Sequence, residues 1–289
     1  MGVNREEALK TLQKIKERIK AKESQWKYKV AVLSGKGGVG KSTVAVNLVT
    51  ALAKRGFRVG LIDADVHGPD VGKMMGLEKV DVLAERTDDG RFEMIPPETD
   101  FGGKTAPIKV MTLGFMVGED QPIIWRGPLV TKAIWQLLGD VRWGELDFFV
   151  VDFPPGTGDE ILTVVQSINL DAAVIVTTPQ EVALLDTGKA VNFMKKMNVP
   201  YIAVIENMSY LICPHCGNEI DVFGKGGGKK LAEKEGVEFL GEIPIDLKAR
   251  EASDAGIPIV LYGDTPAAKA FEEIAEKLVN RLKEMKDSS

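Results

Sequence analysis

Cysteine is nearly missing from this chain: 289 residues contain two. That excludes the dense disulfide framework of a small secreted domain. No run of about 18 apolar residues occurs, so no membrane-spanning helix is expected. The N-terminus has no apolar stretch of the secretory kind, and the expectation is a cytoplasmic protein. An excess of positive charge is also lacking. The formal net charge is −5 and the pI is about 5.4, which argues against general nucleic-acid binding. There is no linker and no low-complexity tract. What remains is 44% hydrophobic and 27% charged, the balance of one large or two small globular domains.

The charge is unevenly spread. Residues 1–29 hold nine Lys/Arg and four Asp/Glu, a net of +5, which leaves −10 on the rest. Leu9, Leu12, Ile15 and Ile19 fall at helical spacing among these charges. Residues 1–24 are therefore read as a basic amphipathic helix, and 25–289 as a single domain. The helix suits packing on the domain's own surface; a membrane or partner role is the alternative.

Apolar, strand-like runs recur at Val30–Leu33, Val59–Ile62, Val110–Leu113, Phe148–Val151, Ala172–Val176, Tyr201–Ile205 and Phe239–Ile243. Helical patterns fall at 43–54, 128–139, 160–168, 182–197, 227–235, 247–255 and 266–286. Strands apolar on both faces that alternate with helices predict an α/β fold, a doubly wound, mostly parallel sheet covered on both sides. Residues 84–107 break the rhythm and read as a hairpin excursion. Ligands of such a fold bind at the carboxyl ends of the strands.

The first strand run leads into Gly35-Lys36-Gly37-Gly38-Val39-Gly40-Lys41-Ser42, and Thr43 opens a helix. G-x-x-x-x-G-K-[ST] between a strand and a helix is a phosphate-binding P-loop. Its backbone N–H groups and the helix N-terminus surround phosphate oxygens. Lys41 would reach the β/γ-phosphates of ATP and Ser42 would ligate Mg²⁺. Two further strands end in acids. One gives Asp63-Ala64-Asp65, the other Asp152-Phe153-Pro154-Pro155-Gly156-Thr157-Gly158. An apolar strand ending in aspartate is a Walker B arrangement, so Asp152 is expected to hold Mg²⁺, with Asp63 near the metal. The loop after Asp152 suits a switch that senses the γ-phosphate, Gly156 supplying an N–H. Lys36 is unexplained within one subunit, because Lys41 already serves the phosphates.

Cys213-Pro214-His215-Cys216 holds both cysteines. A C-x-x-C pair presents two thiolates to one soft metal centre, whereas zinc and iron–sulfur sites usually want four ligands. A dimer with a two-fold axis would supply four. The residues alone leave four readings open: a bridging [4Fe–4S] cluster, a bridging Zn²⁺, a redox disulfide, or an inert pair. His67 and His215 are weaker ligand candidates. Trp125-Arg126-Gly127-Pro128 reads as packing or a partner surface. Gly224-Lys225-Gly226-Gly227-Gly228 lacks a G-K-[ST] ending and reads as a mobile loop before a helix, not a phosphate cradle.

The P-loop octet resembles the deviant Walker A motif of the MinD/ParA-type ATPases, a class that includes the nitrogenase iron protein. The resemblance implies that Lys36 reaches across a dimer interface to the partner's nucleotide, like an arginine finger. It implies that Asp65 positions the attacking water, and that Asn207 and the loop at Pro244-Ile245-Asp246 contact adenine. Glu206-Asn207-Met208-Ser209, the segment from Cys213 to Gly217, Phe223-Gly224, Gly226–Gly228, Asp63–Pro69 and Trp125–Pro128 resemble the Mrp/ApbC branch, over roughly residues 28–280. The cysteine-rich N-terminal segment of the eukaryotic scaffold relatives and the extra domain of many bacterial ones have no counterpart here. The branch implies a homodimeric ATP hydrolase, slow and coupled to cluster loading or transfer. It would carry a [4Fe–4S] cluster between Cys213 and Cys216 of two subunits, for delivery to apo iron–sulfur proteins. Rival readings are a MinD/ParA-type positional ATPase and a zinc-bridged dimeric chaperone ATPase. Against the first, Phe271, Ile274, Leu278 and Leu282 fit packing on the sheet; nucleic acid and membrane are not expected partners.

Overall fold

The computed structural model describes residues 5–65, 68, 70–78, 80–116 and 127–288. Val66, His67, Pro69, Trp125 and Arg126, singled out above, lie outside them. The strands are β1 (Trp26–Ser34), β2 (Val59–Asp63), β3 (Leu83–Arg86), β4 (Phe92–Ile95), β5 (Glu98–Thr99), β6 (Ile108–Thr112), β7 (Leu146–Asp152), β8 (Ala172–Thr177), β9 (Tyr201–Ile212), β10 (Glu219–Ile220) and β11 (Glu238–Ile245). The helices are α1 (Arg5–Glu23), α2 (Lys41–Lys54), α3 (Val71–Met74), α4 (Gly127–Gly139), α5 (Asp159–Ser167), α6 (Glu181–Lys196), α7 (Gly227–Glu235), α8 (Leu247–Asp254) and α9 (Pro266–Asp287).

One sheet runs in the order β10-β9-β8-β1-β7-β2-β6-β5, with β11 on the other side of β9. Its pairs are parallel except β9–β10 and β5–β6. The fold is thus the mostly parallel α/β sheet that the alternation of strands and helices predicts. The expected excursion is there too, as the antiparallel pair β3–β4.

The two-faced burial is visible within β1. Val30 and Val32 join the core under α2 and α9, whereas Ala31 and Leu33 join the core under α4, α5 and α6. Successive strand residues point to opposite faces, so a strand at mid-sheet must be apolar throughout. Trp26 extends β1 four residues upstream of the predicted start, stacked on Phe149 at 3.7 Å between ring centroids. On α9 the Thr265 hydroxyl accepts from the Ala268 N–H at 3.1 Å. Pro266 takes the first turn, where no N–H is needed. Phe271, Ile274, Leu278 and Leu282 are all buried in the core, so this stripe faces the sheet. Near the other terminus Ile19 is buried against the α4 side of the fold, and Arg18 pairs with Asp140 at 3.0 Å. None of the described helices is long and apolar enough to cross a membrane.

One difference matters for function. Glu206–Ser209 were expected to follow a strand that ends at 205, but β9 continues through them to Ile212. Glu206, Asn207 and Ser209 are buried polar residues within the sheet. Met208 takes a positive φ of 54° within the strand, close to a break in the β11 register between Ile243 and Ile245.

Candidate functional site

Parallel pairing brings the carboxyl ends of β1, β2 and β7 together. Asp63 on β2 is in register with Asp152 on β7, and Val32 of β1 pairs with Asp152 on the other side. The chain leaves β1 at Ser34, loops through 35–40 and enters α2 at Lys41. Two glycines are sterically required. A Cβ on Gly35 would lie 2.2 Å from the carbonyl carbon of Asp186 in α6, and Gly40 adopts φ +80° with Asn207 Nδ2 2.3 Å from where a Cβ would be.

Lys41 Nζ donates to Asp152 Oδ1 at 2.6 Å and to Ser42 Oγ at 3.0 Å. The two side chains are 7% and 0% exposed. Asp63 Oδ1 accepts from the Asp65 N–H at 3.0 Å, and Oδ2 from the Thr112 hydroxyl at 3.2 Å. Burial, and then the facing Asp152, hold the Asp63 carboxyl well above the ordinary carboxylate range. Burial also raises Asp152, against the pull of Lys41. Among the described residues, the second Asp152 oxygen is buried without a hydrogen-bond partner. An orphaned carboxylate oxygen, a neighbouring hydroxyl and a second buried acid make a hard, all-oxygen donor set, which fits Mg²⁺. Beside them opens a cavity of about 260 Å³, lined by Gly37, Gly38, Lys41, Ser42, Thr43 and Asp65.

Other candidates sit differently from their expected roles. Lys36 is half-buried at the loop entry, its carbonyl accepting from Ser34 Oγ at 2.9 Å. The Gly156 N–H donates to the Ser34 carbonyl at 2.9 Å, so a phosphate would have to win it from β1. The Asn207 amide donates to the Val39 carbonyl at 2.8 Å, fastening β9 to the P-loop. Asn207 also lines a second cavity of about 380 Å³ with Gly40, Thr43, Ile243, Pro244 and Asp246. That cavity is mostly apolar and touches the P-loop, as a base-binding recess requires.

Past Asn207, β9 runs on to the cysteines. Residues 213–218 turn back into β10, with the Cys213 N–H on the Asn218 carbonyl and the Gly217 N–H on the Cys213 carbonyl, both at 2.9 Å. Cys213 is half-buried and Cys216 exposed; both are free. The N–H groups of His215 and Cys216, then the Cys216 side chain, hold the Cys213 thiol below its usual range, which favours the ligating thiolate. Among the described residues no group of three or more His, Cys, Asp or Glu is placed to hold a metal. Among the described residues, one chain thus offers two thiols and no third ligand beside them. Sequence reasoning quoted Glu206 in the Glu206–Ser209 segment without giving it a role, and overlooked Thr112, a polar residue inside a strand with no motif to mark it.

Comparison with known proteins finds relatives over most of the chain. The model of the NUBPL iron-transfer P-loop NTPases, within the ParA group, matches residues 25–279. An iron-sulfur cluster carrier protein from Pyrococcus abyssi is 80% identical over 270 residues, covering 93% of this chain and 92% of the relative. A nucleotide-binding protein from Archaeoglobus fulgidus, solved in complex with ADP, superposes with a TM-score of 0.70 at 38% identity, over 83% of this chain and 91% of that one. The septum site-determining protein MinD from Pyrococcus horikoshii, complexed with Mg-ADP, shares the fold with a TM-score of 0.60 at 24% identity, over 87% and 95% of the two chains.

The buried acid pair gives a pH signature. Asp63 has a folded pKa raised above its unfolded value. Its contribution is then fully present below the unfolded pKa, near 4, and is lost as pH rises through the folded one. In metal-free protein, Asp63→Asn keeps its carbonyl as acceptor for the Asp65 N–H, turns its NH2 to donate to the Thr112 hydroxyl, and removes the charge. It should raise Tm at pH 7, with the gain vanishing near pH 4. Thermal melts across that range decide it; a variant less stable than wild type at pH 7 contradicts the assignment.

Proposed function

The chain belongs to the NUBPL-type iron-transfer P-loop NTPases of the ParA group, and on that premise we propose that it is a homodimeric MgATP-dependent carrier. Its cargo is a [4Fe–4S] cluster held between the Cys213–Cys216 turns of two subunits and passed to apo iron–sulfur proteins. The observation that carries this reading is the cysteine turn itself. It lies at the end of a strand that is bonded to the P-loop at Asn207, and it has two thiols where such a cluster needs four.

In this account the amides of 35–43 and Lys41 bind the phosphates, Lys41 exchanging Asp152 for phosphate oxygens. Ser42 and Asp152, with Asp63 behind them, would hold Mg²⁺, which neutralises charge on the β- and γ-phosphates. Asp65 stands at the cavity wall, where it orients the attacking water. Lys36 acts from the partner subunit. Asn207 and the recess beside it receive adenine, and Gly156 senses the γ-phosphate by trading its bond to Ser34. Hydrolysis is slow because its task is to time cluster loading and release, not to turn over substrate. The protein works in the cytoplasm, with no nucleic-acid or membrane partner.

Two experiments test the dimer and its cargo. Lys36→Ala and Asp65→Ala should each bind ATP but hydrolyse it poorly. Mixing them should restore part of the activity, because a mixed dimer has one site with both groups intact. No recovery despite demonstrated subunit exchange would argue against action in trans. Separately, Cys213→Ala should lose the cluster after anaerobic reconstitution, by iron analysis, while nucleotide affinity stays within about threefold of wild type. Retention of a full cluster would remove Cys213 from the site.

A further inference from the structure

Glu206 is fully buried, yet the site described above gives it no task. Its two oxygens accept from the Gly226 N–H at 2.9 Å, the Gly228 N–H at 2.5 Å and the Ser209 hydroxyl at 2.5 Å. The stretch Gly224–Gly228, read from sequence as a mobile loop, is thus fastened by the chain's own carboxyl group. A Cβ on Gly228 would sit 3.0 Å from the Glu206 Cβ, and one on Gly227 2.6 Å from the Pro179 carbonyl. Both glycines are there so that the backbone can close on its neighbours.

From this fastened loop Lys225 reaches back to the cysteine hairpin. Its ammonium bonds Glu219 on β10 and lies 4.5 Å above the Tyr210 ring on β9. One lysine therefore holds both strands at the base of the turn. The hairpin needs it, because β9 and β10 share two residue pairs, Ile212–Glu219 and Leu211–Ile220. So short an antiparallel pair is marginal by itself in water. We propose that Glu206 and Lys225 form a brace that sets the geometry of the cysteine turn, Glu206 by fixing the loop and Lys225 by clamping the two strands. They are positioning residues for the thiols. The assignment of the thiols to a cluster rests on the function proposed above; the brace itself does not.

The test compares Lys225→Ala with Lys225→Arg, since arginine can bond Glu219 and stack on Tyr210. Hydrogen exchange on metal-free, reduced protein reads the hairpin without any cluster. Amides of 211–220 should exchange about three- to tenfold faster in Lys225→Ala, return towards wild type in Lys225→Arg, and leave the α2 amides unchanged. After anaerobic reconstitution, loss of iron to a chelator should accelerate by a similar factor in Lys225→Ala and not in Lys225→Arg. Glu206→Gln, which weakens the acceptor without shrinking it, should move both readouts the same way. Unchanged hairpin exchange in Lys225→Ala overturns the brace. Faster exchange with wild-type iron loss overturns its role in positioning the thiols. A wild type that takes up no iron counts against the cluster reading instead, and the exchange comparison still decides the brace.

Discussion

Everything at the head of the sheet is arranged around one buried ion pair. Lys41 and Asp152 meet at 2.6 Å with almost no exposure, tying the first turn of α2 to the end of β7. Such a pair is held in place because either partner alone would be an uncompensated buried charge. The pair also leaves an imbalance. Asp63 presses a second carboxyl against Asp152, and both acids are pushed above their ordinary range. One lysine is shared by two acids that cannot both ionise cheaply. In the function proposed above, a divalent cation would relieve that conflict and free the lysine for phosphate.

Strand β9 extends the consequences of that site to the cysteines. At Asn207 it is bonded to the P-loop through the Val39 carbonyl. At Glu206 it anchors the glycine stretch. Six residues beyond Asn207 it becomes the cysteine turn, roughly 20 Å along an extended chain. β8 flanks β9 up to Glu206, and β11 follows it to Asn207 and meets it again at Leu211 past a register shift. Beyond the P-loop contact the ladder is therefore partial, and β10 joins it at Leu211 and Ile212, just before the thiols.

Much of this was legible in the sequence for definite reasons. Gly35 to Ser42 betrays itself because backbone approach to phosphate demands glycines at fixed spacing, and Asp63 and Asp152 because an acid at the end of an apolar strand is conspicuous. The apolar stripe of α9 announced its burial by period alone. What stayed hidden were polar groups used inside the fold. Glu206, Asn207 and Ser209 looked like the end of a strand, since a buried polar residue is recognised only by partners distant in sequence, here Val39, Gly226 and Gly228. The glycine run was misleading for the same reason: it read as a mobile loop, but Glu206 fastens it. The Gly156 N–H, expected to be free for a phosphate, is held by Ser34, a contact that no local pattern encodes.

The central claim is that two chains complete one cluster site beneath their nucleotides. Sedimentation velocity of wild-type protein reconstituted anaerobically with iron and sulfide tests it most directly, with cluster absorbance and protein followed together. The account predicts that the cluster signal travels only with the dimer, at about four irons per two chains. Cluster absorbance sedimenting with the monomer, or a dimer that holds zinc and takes up no iron, would contradict it.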